Sequence, residues 1–390
     1  MRRSFVRKLL TARWDTILRG FYEYNVVRHF RALPPRQLQI NVTYRCNARC
    51  TMCNIWQMQD RAEMGLQSFS YLLEDPIFQG IERLTLAGGE PSLRRDLVAL
   101  TELFMQRMPR LGSLTLITNG LAVERILADT RAMLGLCATG GVHLNVSVSL
   151  DGVGQVHDEL RGVPGAFSKV AQCLIGLKEL QASSPVPFWL GASCVITRKN
   201  LYELRELQDW CAEREIELGF QLVGFHETYV ANIEQRADLD FDQADREYLL
   251  HFLQELANDR SLSNFMAYYW DDMLRMYRDG RSRQTPCPFA VDSFVLDAYG
   301  DVYYCLSERK LGNCVTGTDG DPSLTRPCSD IYFNPENLAF REQLTRSACL
   351  QCNSGCFVNI GLKKELKKYL RFLASPRKWR DTPRPRNDDR

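Results

Sequence analysis

From residue 38 the chain alternates short apolar runs with longer amphipathic stretches. The runs fall at 38–43, 83–87, 113–118, 142–150, 188–197 and 218–224. The stretches between them, near 68–78, 94–108, 121–135, 166–181 and 201–214, repeat apolar residues at helical spacing. A strand followed by a helix, six times over, predicts a parallel sheet built from βα units. Six units are too few to close an eight-stranded barrel. The expectation is therefore an α/β fold: a partial (β/α)6 TIM-like barrel, open on one side, with its active site at the carboxyl ends of the strands. A chain of 390 residues, 45% of them hydrophobic, has material for one such domain and smaller attachments.

The flanking segments divide the rest. Residues 1–37 read as a basic amphipathic helical segment, helix-like over 3–30 and ended by Pro34-Pro35. Residues 38–224 form the barrel, and 225–286 a helical connector with helices near 241–258 and 263–279. A cysteine-rich domain at 287–358 contains a hairpin, 294–297 and 302–305, turned through Tyr299-Gly300-Asp301. Residues 359–390 read as a basic helix, about 361–374, and a disordered tail. The net charge of +2 conceals basic ends around an acidic middle. Such ends suit solvated helix faces or peripheral contact with an anionic membrane. The acidic middle and the lack of aromatic–basic interleaving argue against nucleic acid.

Fourteen cysteines in a chain with an ample core, and no credible export signal, point to reduced thiols in the cytoplasm. Arg2-Arg3-Ser4-Phe5 has the look of a twin-arginine signal, but Arg13, Asp15 and Arg19 interrupt the apolar stretch it needs. Three of the cysteines stand on one loop directly after the first strand, in Cys46-Asn47-Ala48-Arg49-Cys50-Thr51-Met52-Cys53. Three thiolates can hold three irons of a cubane that normally takes four cysteines. The fourth iron stays open, as catalytic metals do. The competing reading of these thiols is a zinc site.

This spacing, at this place in a βα barrel, resembles the radical S-adenosylmethionine (SAM) superfamily. The resemblance spans residues 38–224 and implies a [4Fe–4S] cluster on Cys46, Cys50 and Cys53. It further implies SAM on the open iron, an electron donor such as flavodoxin or ferredoxin, and a 5′-deoxyadenosyl radical that takes a hydrogen atom from substrate.

Other stretches carry the same resemblance. Leu86-Ala87-Gly88-Gly89-Glu90-Pro91 ends the second strand, where two glycines allow close backbone approach to a ligand. In the family this motif binds the amino group of SAM. Asn119, in Thr118-Asn119-Gly120, faces the site or caps a turn. Alternation in the fourth strand puts Asn145, Ser147, Ser149 and Asp151 on one inward face, and Ser149 resembles a family residue near the SAM carboxylate. In His157-Asp158-Glu159-Leu160-Arg161-Gly162, Arg161 is the expected partner of that carboxylate and His157 is structural. Asn200 is an expected polar contact to SAM, and Gln221-Leu222-Val223 is expected near the adenine.

A second cysteine set follows. Cys287-x12-Gly300-x4-Cys305 resembles the opening of SPASM/twitch extensions, and Cys349, Cys352 and Cys356 follow it. The resemblance implies an auxiliary [4Fe–4S] cluster on Cys287, Cys305, Cys349 and Cys352, with Cys356 as an uncertain fifth thiol and Cys314 and Cys328 as further candidates. A four-cysteine zinc ribbon is the alternative. Cys137, Cys173, Cys194 and Cys211 read as core residues. The expected substrate is a sugar or cyclitol-type small molecule, oxidised or epimerised. The alternatives are a ribosomal peptide, for which the roughly 37 residues before the barrel are too few to form a leader-binding domain, and a lipid or lipid-linked glycan. A zinc-binding nucleic-acid protein is the non-enzyme reading.

Overall fold

The computed structural model describes residues 14–59, 61–259, 264–315, 326–355 and 365–374. Nine strands form one sheet in the order β6-β5-β4-β3-β2-β1-β7-β8-β9. The first six are β1 (Gln37–Thr43), β2 (Arg83–Gly88), β3 (Ser113–Thr118), β4 (His143–Ser149), β5 (Trp189–Ile196) and β6 (Glu217–Leu222). Each pairs in parallel with the next, so the six expected strands exist and neighbour one another in sequence order. Among the described residues the sheet does not close on itself.

Alternation within the strands explains the two faces. In β1, Leu38, Ile40 and Val42 are buried on one face, and Gln37, Gln39 and Asn41 lie on the other. In β4, Leu144, Val146 and Val148 are buried while Asn145, Ser147 and Ser149 stay partly exposed. Helices Leu97–Arg107, Val123–Gly140, Ala166–Ser183 and Leu204–Glu213 follow β2, β3, β4 and β5 and bury their own apolar stripes.

The helix expected over 68–78 is shorter, Leu66–Leu72. Pro76 starts a separate 3-10 turn whose first free amide, on Ile77, is capped by the Asp75 side chain. The helix Gln155–Arg161 was not expected. It is one short element between two glycines, too brief to show a period.

The expected hairpin is present as β7 (Ser293–Asp297) and β8 (Asp301–Tyr303), paired antiparallel, with β9 (Gly312–Asn313) beside β8. Its placement was not legible in the sequence. β7 lies parallel to β1, with Gln37 opposite Ser293 and Asn41 opposite Asp297. A seventh parallel strand thus covers the edge that β1 would otherwise expose.

Two compact units divide the chain. One comprises Pro34–Leu249 and Phe289–Ser354, and holds the whole sheet. The other comprises Met1–Leu33, Leu250–Pro288 and Gly355–Arg390. It contains the helices Trp14–Asn25, Asn264–Asp279 and Leu366–Leu373; the expected terminal helices, 3–30 and 361–374, fall partly outside the described residues. Residues 1–13 and the tail from 375 lie outside the described residues. Among the described residues no helix is long and apolar enough to cross a membrane.

Candidate active site

The loop that carries Cys46, Cys50 and Cys53 leaves the carboxyl end of β1 and is held by backbone hydrogen bonds on three sides. The Gly89 and Glu90 amides donate to the Thr43 and Arg45 carbonyls (2.7 and 2.8 Å). The Arg49 and Thr51 amides donate to the Arg161 and Leu160 carbonyls (2.8 and 2.9 Å). The Asn54 amide donates to Val230 O (2.8 Å), and Asn232 Nδ2 donates to Met52 O (2.9 Å). Ala48, Met52 and Ile55 point into protein and are buried, whereas the three cysteines keep partial exposure. An irregular loop is thereby fixed without secondary structure of its own.

Close approach demands glycine at three places. A Cβ on Gly88 would lie 2.3 Å from Thr43 O, and one on Gly89 2.2 Å from Arg45 O. At Gly162, where φ is +62°, it would lie 2.3 Å from Arg49 O. Gly88 and Gly89 were expected to make room for a ligand. The nearest cause of their smallness is the backbone of the cysteine loop itself.

The thiols sit among N–H donors. Burial pushes the Cys46 thiol up, opposed by hydrogen bonds from the Ala48 amide and the Asn119 side chain. Burial likewise pushes Cys53 up to about 12, opposed by the Ile55 amide and the nearby Arg161 charge. Asn119 Nδ2 lies 3.7 Å from Cys46 Sγ, and Arg161 Nη1 lies 3.7 Å from Cys50 Sγ. Unligated, the two shifted cysteines are thiols at neutral pH; a metal would displace their protons. Among the described residues no three His, Cys, Asp or Glu side chains converge as a single ion requires. Thiolates that bind separate irons of one cluster need not meet at a point.

Several residues expected to contact SAM also have partners within the protein, on or near this loop. The Glu90 carboxylate is fully buried and accepts from Thr118 Oγ1 (2.8 Å), the Asn119 amide (2.6 Å) and the Ser92 amide (3.1 Å). It ties the end of β2 to the end of β3. Asn119 Oδ1 accepts from the Leu121 amide (3.0 Å), which turns Nδ2 toward Cys46 and Asn47.

Asp151 was expected on the inward stripe of β4. It lies past the strand end, fully buried, with Oδ1 accepting from the Val195 amide (2.9 Å) and Oδ2 paired with Arg161 Nη2 (2.6 Å). Arg161, expected on the SAM carboxylate, therefore has a protein carboxylate as its partner. Asn200 is fully buried and its amide is engaged at both ends. Nδ2 donates to the Asp151 and Val195 carbonyls (2.8 and 2.9 Å), and Oδ1 accepts from the Thr197 amide (2.8 Å). His157 is buried too, and its Nδ1 accepts from the Asp151 amide at 3.0 Å. Ser147 and Ser149 lie on one face of β4 with partial exposure, while Asn145 Nδ2 is bonded to Ser113 Oγ and Leu114 O.

Sequence reasoning missed Asn232 and Tyr44. The Tyr44 ring stacks on Tyr299 at 4.7 Å and its hydroxyl donates to buried Asp297 (2.8 Å). No local pattern marks either of them. In the later set, Cys305, Cys349 and Cys352 are partly buried in the sheet-bearing unit, Cys287 belongs to the other unit, and Cys356 lies outside the described residues. Cys314 and Cys328 are fully buried with their sulfurs 3.0 Å apart.

The family model described as "Radical SAM superfamily" matches residues 40–186, a stretch that begins within β1 and holds the cysteine loop and β2 to β4. Residues 40–186 are a radical SAM domain. Among curated proteins, Fe-coproporphyrin III synthase of Methanosarcina barkeri is 28% identical over 178 residues, 45% of this chain and 41% of that protein. PqqA peptide cyclase of Rhizobium meliloti is 29% identical over 181 residues, 45% of this chain and 44% of that protein. The chain spans about half the length of the curated relatives it matches. Among solved structures, Streptococcus suis SuiB bound to S-adenosylmethionine superposes with a TM-score of 0.56 at 16% identity, covering 86% of this chain and 76% of that one. The same protein bound to precursor peptide SuiA gives 0.54 at 18%, covering 86% and 74%. The likeness in fold thus continues beyond the radical SAM domain.

Proposed function

We propose that this chain is a radical SAM enzyme that acts on a peptide. Its cluster would be held by Cys46, Cys50 and Cys53, and the observation that carries the reading is the placement of those thiols. They stand on one loop, pinned from three sides, above the carboxyl ends of a parallel sheet, where barrels of this kind keep their chemistry. When bound, the cluster and SAM supply a 5′-deoxyadenosyl radical that abstracts hydrogen from substrate.

The protein's own part is positional. Gly88 and Gly89 let the end of β2 lie against the cysteine loop, Glu90 fixes Asn119 beneath it, and Asp151 fixes Arg161 beside it. Ser147 and Ser149 offer hydroxyls on the partly exposed face of β4 for polar groups of SAM or substrate. Burial of Ala48, Met52 and Ile55 under the loop keeps water from one side of the thiols. Cys305, Cys349 and Cys352 supply thiols for a second cluster, and a flavodoxin or ferredoxin is the electron source.

The sugar or cyclitol substrate expected at first has no support among the relatives. A peptide has some: one curated relative is named a PqqA peptide cyclase, and SuiB was solved with a precursor peptide.

Anaerobically reconstituted protein is expected to hold about eight irons if both clusters form. With reductant and SAM it should release 5′-deoxyadenosine, and Cys46→Ala should release none. Zinc without iron would remove the enzyme reading. A perdeuterated peptide pool should pass deuterium into 5′-deoxyadenosine. Label arriving only from deuterated polyols would restore the small-molecule substrate.

A further inference from the structure

Resting on the cluster reading above, we infer that Arg161 and Asn119 set the reduction potential of the cluster through hydrogen bonds to its cysteine sulfurs, and that Asp151 is the positioning residue that aims Arg161.

Both donors come from outside the cysteine loop, and both are fixed before any ligand arrives. Arg161 ends the helix Gln155–Arg161, and the next residue, Gly162, packs directly on Arg49 of the loop. Its guanidinium divides between the Asp151 carboxylate at 2.6 Å and Cys50 Sγ at 3.7 Å. Asp151 is itself held through its carboxylate by the Val195 amide, through its own amide by His157 Nδ1, and through its carbonyl by Asn200 Nδ2. Asn119 has its backbone amide on Glu90 and its side-chain oxygen on Leu121 N–H, so its NH₂ faces Cys46 Sγ and Asn47 Oδ1. The amide orientation follows from that network.

A cation and an oriented N–H dipole next to thiolate sulfur stabilise the more electron-rich state of a cluster. Each such contact raises its potential. A bare guanidinium would add a full charge to this pocket. Asp151 offsets the charge while keeping the N–H vectors on the sulfur. The relay also explains why His157 and Asn200, buried and remote from the loop surface, are polar. They hold Asp151, and through it Arg161.

The test is a potentiometric titration of holoenzyme without SAM, followed by the electron paramagnetic resonance of the reduced cluster. The signal is assigned by its loss in a Cys46→Ala/Cys50→Ala/Cys53→Ala protein. Arg161→Lys and Asn119→Leu should each lower the potential, so that the reduced fraction at a fixed poise falls severalfold. SAM affinity is measured alongside by calorimetry. Unchanged potentials with weakened SAM binding would overturn the inference and make both residues ligands of SAM. Should Arg161→Lys fail to retain cluster, Asn119→Leu, at the end of β3 and not on the Arg161 helix, decides alone. A wild-type protein that binds no iron at Cys46, Cys50 and Cys53 would instead sink the cluster reading itself.

Discussion

Arg161 and Asp151 form an ion pair at 2.6 Å, with the carboxylate fully buried and the guanidinium nearly so. Removing one partner of such a pair leaves an uncompensated charge in a poor solvent. Asp151→Asn should therefore cost about 3–5 kcal/mol of stability, read from urea denaturation of the cluster-free protein. A loss below about 1 kcal/mol, the range of exposed pairs, would mean that the pair is solvated.

Gly89 should tolerate no side chain. Its added Cβ would meet the Arg45 carbonyl at 2.2 Å, and neither backbone segment can retreat without breaking the bonds that pin the cysteine loop. Gly89→Ala is expected to lose most of the iron taken up on reconstitution. Gly141 offers the comparison: φ is +65°, but a Cβ there meets nothing. Gly141→Ala should lose only about 1 kcal/mol and load iron normally. Equal loading of both variants would refute the geometric argument.

Glu90 carries hydrogen bonds that the fold itself needs. It accepts from three donors, and burial raises its pKa against those hydrogen bonds. A glutamine has one acceptor oxygen, so at least one donor would face its NH₂. The expected cost of Glu90→Gln is about 1–3 kcal/mol. Faster hydrogen exchange at the Asn119 amide would locate the damage, and unchanged protection there would argue against the strut.

His157 makes stability depend on pH. Burial pushes its pKa down to about 3, whereas in the unfolded chain it titrates near 6.5. Between those values the unfolded chain binds a proton that the native protein refuses, so stability falls as pH drops. The slope is up to about 1.4 kcal/mol per unit, and above pH 6.5 the group contributes no slope. His157→Asn keeps an acceptor for the Asp151 amide and removes the titration. The stability gap between the two proteins should change by about 2–3 kcal/mol between pH 7.5 and 4.5 in the variant's favour. A constant gap would show that His157 is accessible to protons in the fold.

Parts of this molecule were legible in the chain alone. The apolar run at 38–43 announced β1, and the period of two through Asn145, Ser147 and Ser149 announced the two faces of β4. The same reading found all six parallel strands and placed the three cysteines after the first. It named Asn200 and Asp151 as ligand contacts, because polar residues at strand ends so often are, and did not show the bonds they make within the fold. Their bonds run to Val195, Thr197 and Arg161, and only the folded chain shows which of these lie within reach.

The sequence by itself determined the strand and helix periods, the thiol spacing and the glycines at the end of β2. All are patterns within a few residues, where geometry per residue is fixed by the backbone. Tertiary structure decided which groups meet: β7 beside β1, Asn119 on Cys46, Arg161 on Cys50 and Asp151 on Arg161. Most of these pairs are separated by tens to hundreds of residues. Even Asp151 and Arg161, ten positions apart, face each other only because an intervening helix, ended at Gly162, turns the chain back on the cysteine loop. Whether a buried polar group serves a ligand or the fold depends on its partners, and no pattern in the chain records them.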